Sequence, residues 1–165
     1  MKSSIRKFLL INLLLAISIT TTLTAIGNYY LDQKDIQDHL DTLMAISTLS
    51  YQALLGEDVH QRPIPTIQKA LNEIPKKIDA YYHEQYLNDV PPESYFDKFN
   101  FQVWANNGKL LLHSSNAPKI SLASKEDGFS DNYISNQNWR VFTSNNNTTG
   151  IRTVLAERYD TRNEL

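Results

Sequence analysis

No cysteine occurs among the 165 residues, so disulfides are excluded, and so is structural zinc held by thiolates. Glycine is scarce: the five glycines stand singly and form no phosphate-cradling loop. There is no excess of positive charge either, with 16 Lys and Arg against 18 Asp and Glu, and the absence of a basic stripe argues against nucleic-acid binding. His39, His60, His83 and His113 follow no zinc-ligand spacing, and no serine sits in a G-x-S-x-G elbow. The acidic pairs Glu57-Asp58 and Glu126-Asp127 fall on predicted loops without an EF-hand frame and read as solvated turns. The expectation is a chain with no catalytic residues, no metal ligands and no cofactor of its own.

What the chain does have is an apolar run, residues 8–26, FLLINLLLAISITTTLTAI, with no charge in it. As a helix it spans about 28 Å, the hydrocarbon thickness of a bilayer. Lys2, Arg6 and Lys7 precede it without an acid, which predicts a cytoplasmic amino terminus and places residues 28–165 beyond the membrane. A cleaved signal peptide is the competing reading. The run is longer than a signal peptide's core, and its end, Leu23-Thr24-Ala25-Ile26-Gly27, has no A-x-A cleavage pattern, so residues 1–27 are read as a cytoplasmic tip and anchor. Asn12, Ser18 and the threonines at 20, 21, 22 and 24 either bond between membrane helices or bond back to their own backbone.

Beyond the anchor, 13 basic and 18 acidic residues remain in a stretch long enough for one domain. Residues 28–56 read as a long helix, with Ile36, Leu40, Leu43, Ser47, Ser50 and Leu54 at four-three spacing and Met44, Tyr51 and Leu55 widening the stripe. That stripe suits packing on the chain's own domain or on a twin helix, and Gly56 reads as its stop. Arg62-Pro63-Ile64-Pro65 breaks the pattern. The helical segment 63–90 follows, carrying Ile67, Leu71, Ile74 and Ile78, and is expected to be two short helices meeting at Pro75, closed by Pro91-Pro92. Tyr81, Tyr82, Tyr86 and His83 give it an aromatic end.

From Phe99 the period becomes two. Strands are expected from Phe99 to Ala105, across an Asn106-Asn107-Gly108 hairpin into Lys109 to Ser114, then Phe129 to Ile134, Trp139 to Thr143 and Ile151 to Glu157. Residues 145–149 read as a polar loop, and 158–165 as an exit toward a second membrane span. Helices first and antiparallel strands after predict an α+β domain whose sheet, 99–157, keeps one face free for a ligand or partner. A pocket of Trp104, His113, Tyr133 and Arg140 would join aromatic walls to one cation, suiting an acidic or aromatic small molecule. The duller alternatives are that Trp104 and Trp139 are core, that Arg140 pairs with a structural acid such as Glu157, and that His113 is merely exposed.

Gln102-Val103-Trp104, Gly108, Leu110-Leu111-Leu112-His113-Ser114, Ala117-Pro118, Gly128-Phe129-Ser130 and Trp139-Arg140-Val141-Phe142 occur in that order. Together with Val154-Leu155-Ala156-Glu157, Arg158 and Arg162, they resemble the amino-terminal sensor region of QseC-type bacterial sensor histidine kinases. The resemblance implies a PAS-like α+β fold of four to five strands in the periplasm and a homodimer in the inner membrane. It also implies a cytoplasmic kinase that uses ATP to phosphorylate a histidine and passes phosphate to a response regulator. That kinase is expected outside residues 1–165, and none of the four histidines here is carried over as its phosphoacceptor. The signal, a small molecule or a protein, is left open. Two other classes fit less well: an anchored chemoreceptor with a different output, and a pilin-like subunit, which would need a Gly-Phe junction and an early Glu that this run lacks.

Overall fold

A computed structural model describes residues 2–61, 63–86, 99–123 and 127–162. Arg62, Pro91-Pro92, Glu126 and the residues after 162 lie outside that range, as do the side chains of Glu57, Asp58, His60, Tyr81, Tyr82, His83 and Tyr86. The chain forms two compact units, Met1–Asp41 and Thr42–Leu165.

The described residues of the first unit all belong to α1 (Lys2–Gln61). Its apolar run is long and apolar enough to cross a membrane, and Phe8, Leu14 and Leu23 each expose about two thirds of their surface, 66, 65 and 65%. The polar residues in the run are absorbed locally. The hydroxyls of Thr20, Thr21, Thr22 and Thr24 donate to the carbonyls of Ala16, Ile17, Ser18 and Thr20 at 2.8–2.9 Å, the back-bonding that lets threonine sit inside an apolar helix.

In the second unit the same helix runs past Gly56 to Gln61, so Gly56 is not its stop. Glycine inside a helix costs only about 1 kcal/mol, which the flanking turns absorb. Helix α2 (Ile64–Tyr86) is likewise one element with Pro75 inside it, correcting the expected break. Pro75 deprives only the Leu71 carbonyl of its N–H partner, while Ile64, Ile67 and Leu71 hold the helix on the core. The carbonyl of Pro63 caps its start, accepting from Thr66 at 2.9 Å.

The strands β1 (Phe99–Ala105), β2 (Leu110–His113), β3 (Gly128–Ile134), β4 (Gln137–Asn146) and β5 (Ile151–Arg158) form one antiparallel sheet in the order β2-β1-β5-β4-β3. A short α3 (Tyr159–Arg162) follows. The architecture is therefore α+β, a long amino-terminal helix leading into a five-stranded sheet. β4 is longer than the alternation suggested. Asn145 and Asn146, read as loop, pair with Arg152 and Ile151, and the Asn145 N–H donates to Asp127 at 2.8 Å. At the far end of this hairpin Gly150 adopts φ 67°, and a Cβ there would lie 3.1 Å from the Asn106 amide, so the two turns close against each other.

Both faces of the sheet are covered. One carries Val103, Leu112 and Ile151, packed by Leu55 of α1 and Ile64, Ile67 and Leu71 of α2. The other carries Trp139, Val141, Val154 and Ala156, with Trp104 and Ile134 beside them, and is closed by Leu122 and Ala123 of the β2–β3 connection. The expectation of a free second face is thus corrected. The reason is Gln102, fully buried on that face. Its Nε2 donates to the carbonyls of Pro118 at 2.6 Å and Ile120 at 2.9 Å, and its Oε1 accepts from Leu122 N and Trp104 Nε1, each at 3.1 Å. One amide spends its whole bonding capacity fastening the connection down.

Candidate functional site

The four residues expected to form a pocket are not brought together. Trp104 pairs with Arg152 on β5, whereas Arg140 pairs with Glu157. These β5 positions are five apart, and strand side chains alternate, so Trp104 and Arg140 lie on opposite faces. Tyr133 shares the Arg140 face, but it stands on the edge strand, 66% exposed, its hydroxyl donating to Asn136 at 2.6 Å. His113 shares the Trp104 face on the opposite edge, half-buried, with Nδ1 2.8 Å from the Ser114 carbonyl.

Each residue has a structural occupation. Arg140 donates to the Asp131 carboxylate at 2.9 Å and lies 4.8 Å over the Phe129 ring, which packs on Phe142 at 4.6 Å between centroids. The Asp131 carboxylate also accepts from the Tyr159 hydroxyl at 2.7 Å. Burial alone would raise the Asp131 carboxyl, but the hydrogen bonds from Tyr159 and Arg140, with the charges of Arg140 and Arg162, hold it below its ordinary range. Burial and the same hydrogen bond push the Tyr159 phenol up. His113 is fixed through its backbone: Gln68 of α2 accepts from its N–H at 3.0 Å and donates to its carbonyl at 2.7 Å. A side-chain amide thus pairs with edge strand β2 as another strand would.

The residue opposite Trp104 in the neighbouring strand is Arg152, not Arg140. Trp104 and Arg152 line a notch of about 270 Å³ with Asn106 and Ser121, and Arg152 Nε donates to Asn145 at 2.9 Å. The signal that would have found it is cross-strand register, which sequence alternation does not contain.

A second arrangement lies on the helix face. Met44, Thr48, Gln52 and Leu55 form the side of α1 that packs on the sheet in the second unit. Thr48 donates to the Met44 carbonyl at 2.7 Å. Gln52 donates to the Ser144 carbonyl at 2.9 Å and accepts from its hydroxyl at 3.1 Å. At the end of β5, Glu157 and Arg162 are 1 and 2% exposed. Arg162 Nε donates to Glu157 at 2.8 Å, and its guanidinium lies 3.8 Å from the Met44 sulfur. The last strand, the turn after it and α1 therefore meet at one buried ion pair.

The four residues expected on a dimer seam divide between the units. Ile36 and Leu40 lie in the first and are half-exposed; Leu43 and Leu54 lie in the second and are 47 and 73% exposed. Among the described residues no three His, Asp or Glu side chains converge as metal ligands. No protein-family model, curated protein or solved structure gives a significant match to the chain.

Proposed function

We propose that the chain is the extracytoplasmic sensor region of a membrane-bound, QseC-type sensor histidine kinase, with a PAS-like domain on the periplasmic side of a bacterial inner membrane. The observation that carries this reading is the Glu157–Arg162 pair packed on Met44. A receptor must convert a change in its domain into displacement of the segments leading toward the membrane. Here α1, whose amino-terminal part is apolar, and the segment leaving β5 are joined through one buried contact. A signal that favours one arrangement of this contact shifts the output in proportion to its differential affinity, tenfold for about 1.4 kcal/mol. On this reading the kinase that would use ATP and pass phosphate to a response regulator is encoded outside residues 1–165.

The second element of the proposal is a homodimer through the outer face of α1. In the second unit Leu43, Ile46 and Leu54 are 47, 57 and 73% exposed, and Ser50 joins them on the side turned away from Met44, Thr48 and Gln52. Packing on the sheet therefore leaves this apolar side open for a twin helix.

The test uses the intact membrane protein. A reporter active only outside the cytoplasm, fused after Arg162, should be active, and the paired change Glu157→Leu with Arg162→Met, which leaves no buried charge unmatched, should shift basal phosphorylation of the response regulator at unchanged protein level. A silent reporter would overturn the topology. An active reporter with no phosphotransfer in the parent protein would leave a receptor of another output.

A further inference from the structure

Between α1, α2 and β1 in the second unit lies a cleft of about 310 Å³ whose lining, among the described residues, contains no charged side chain. Its walls are Tyr51 and Leu55 from α1, Leu71 and Ile74 from α2, and Phe101 and Leu155 from the sheet. Among the described residues, Ser114 and Ser115 supply its hydroxyls together with Tyr51. Three features define what it accepts. The described lining offers an ion no charge to offset its desolvation, which favours an uncharged guest. The Tyr51 and Phe101 rings are turned on each other at 5.3 Å and 70°, edge to face, rather than held apart for a stacked aromatic guest. The volume is at the lower limit for a ligand pocket, too small for a two-chain lipid.

Apart from Tyr51, the polar side chains of the lining are the adjacent Ser114 and Ser115. The Ser114 hydroxyl is already committed, accepting from Phe101 N at 3.1 Å and donating to Asn100 at 3.2 Å. Ser115, at an exposed position on the lining, carries the hydroxyl that can meet a guest's head. Pro75 also lines the cleft, and its missing N–H leaves the helix wall without one of its backbone bonds at that turn.

The geometry points to a binding site for a single-chain, medium-length alkyl amphiphile with an uncharged head, its chain between Leu55, Leu71 and Leu155 and its head at Ser115. The site belongs to the second unit alone and does not depend on the kinase reading, because its test measures occupancy and not signalling.

The experiment uses the full chain in nanodiscs and a diazirine-bearing octanol as photolabel, with adducts mapped by mass spectrometry. Labelling within residues 51–75 and 99–115 should be competed by unlabelled 1-octanol, and 1-hexanol should be roughly 15-fold weaker, about fourfold for each methylene removed. Leu71→Trp fills the cleft and should abolish these adducts, while labelling of the apolar run 8–26, which reports bilayer partitioning, should persist. Ile74→Phe, at the 41% exposed rim, repeats the test with less demand on the core. Adducts confined to 8–26, or cleft adducts unchanged in both variants, would overturn the proposal.

Discussion

Arg162 donates from Nε to the Glu157 carboxylate at 2.8 Å, with both side chains withdrawn from solvent. A buried ion pair is costly to halve and inexpensive to replace whole. Arg162→Ala should therefore destabilise the domain by about 3–5 kcal/mol, a large share of the ~5–15 kcal/mol typical of a domain. The double change Glu157→Leu with Arg162→Met should recover most of that loss. Urea unfolding of the native protein and the two variants measures both, and a double variant as unstable as the single one would show that packing, not charge, dominates there.

The strands show how far local pattern reaches. Alternation places Arg140 and Phe142 opposite Trp139, Val141 and Thr143, and the sheet keeps that division. It cannot say which residue of a neighbouring strand stands opposite, so alternation alone does not separate Arg140 from Arg152 as the neighbour of Trp104. Hydropathy also misleads where polar groups are buried in pairs. Thr48, Gln52, Gln102 and Glu157 are all buried because each finds a partner distant in sequence or a turn away, and nothing local announces the partner. The proline and glycine breaks failed in the opposite sense, since long-range packing of Ile64, Ile67 and Leu71 outweighs the local cost at Pro75.

Gln102→Leu is nearly isosteric and more apolar, yet it should be destabilising. It strips partners from the Leu122 N–H and from the Pro118 and Ile120 carbonyls. At about 1–3 kcal/mol for each buried group left unmade, the loss should be about 2–4 kcal/mol after partial rehydration. Hydrogen exchange at Leu122 should accelerate more than at Val141, which lies in the ladder. Equal acceleration at both would mean global unfolding instead of release of the connection.

Arginine substitutions separate the two faces of the sheet. If an acidic small molecule raises the melting midpoint through the Trp104 notch, Arg152→Ala should remove that shift and Arg140→Ala should leave it. Saturation at a hundred times the dissociation constant would give about 2.7 kcal/mol of stabilisation. The reverse pattern would move the site to the Asp131 side.

For the helix face, Leu43→Asp with Leu54→Asp should convert a dimer to monomer in light scattering. Both side chains are exposed within the second unit, so thermal stability of the monomer should change by less than about 1 kcal/mol. Loss of fold in the monomer would show that these residues serve the core; an unchanged dimer would move the interface elsewhere.

The Asp131 carboxyl, bonded by Arg140 and Tyr159, gives a pH signature with a definite sign. Its pKa in the folded state lies below the ordinary 3.8, so the unfolded chain binds the proton more readily. The resulting stability is complete above about pH 4 and is lost as pH falls through the folded value. Asp131 is exposed by more than half, so the effect should be modest. Asp131→Asn removes the titrating group, and the gap in melting midpoint between the native protein and this variant should narrow below pH 4 while staying constant from pH 5 to 8. Tyr159→Phe, which keeps the carboxyl but removes one donor, should shrink the gap without abolishing its pH dependence. A gap that does not change with pH would show that Asp131 contributes by geometry alone.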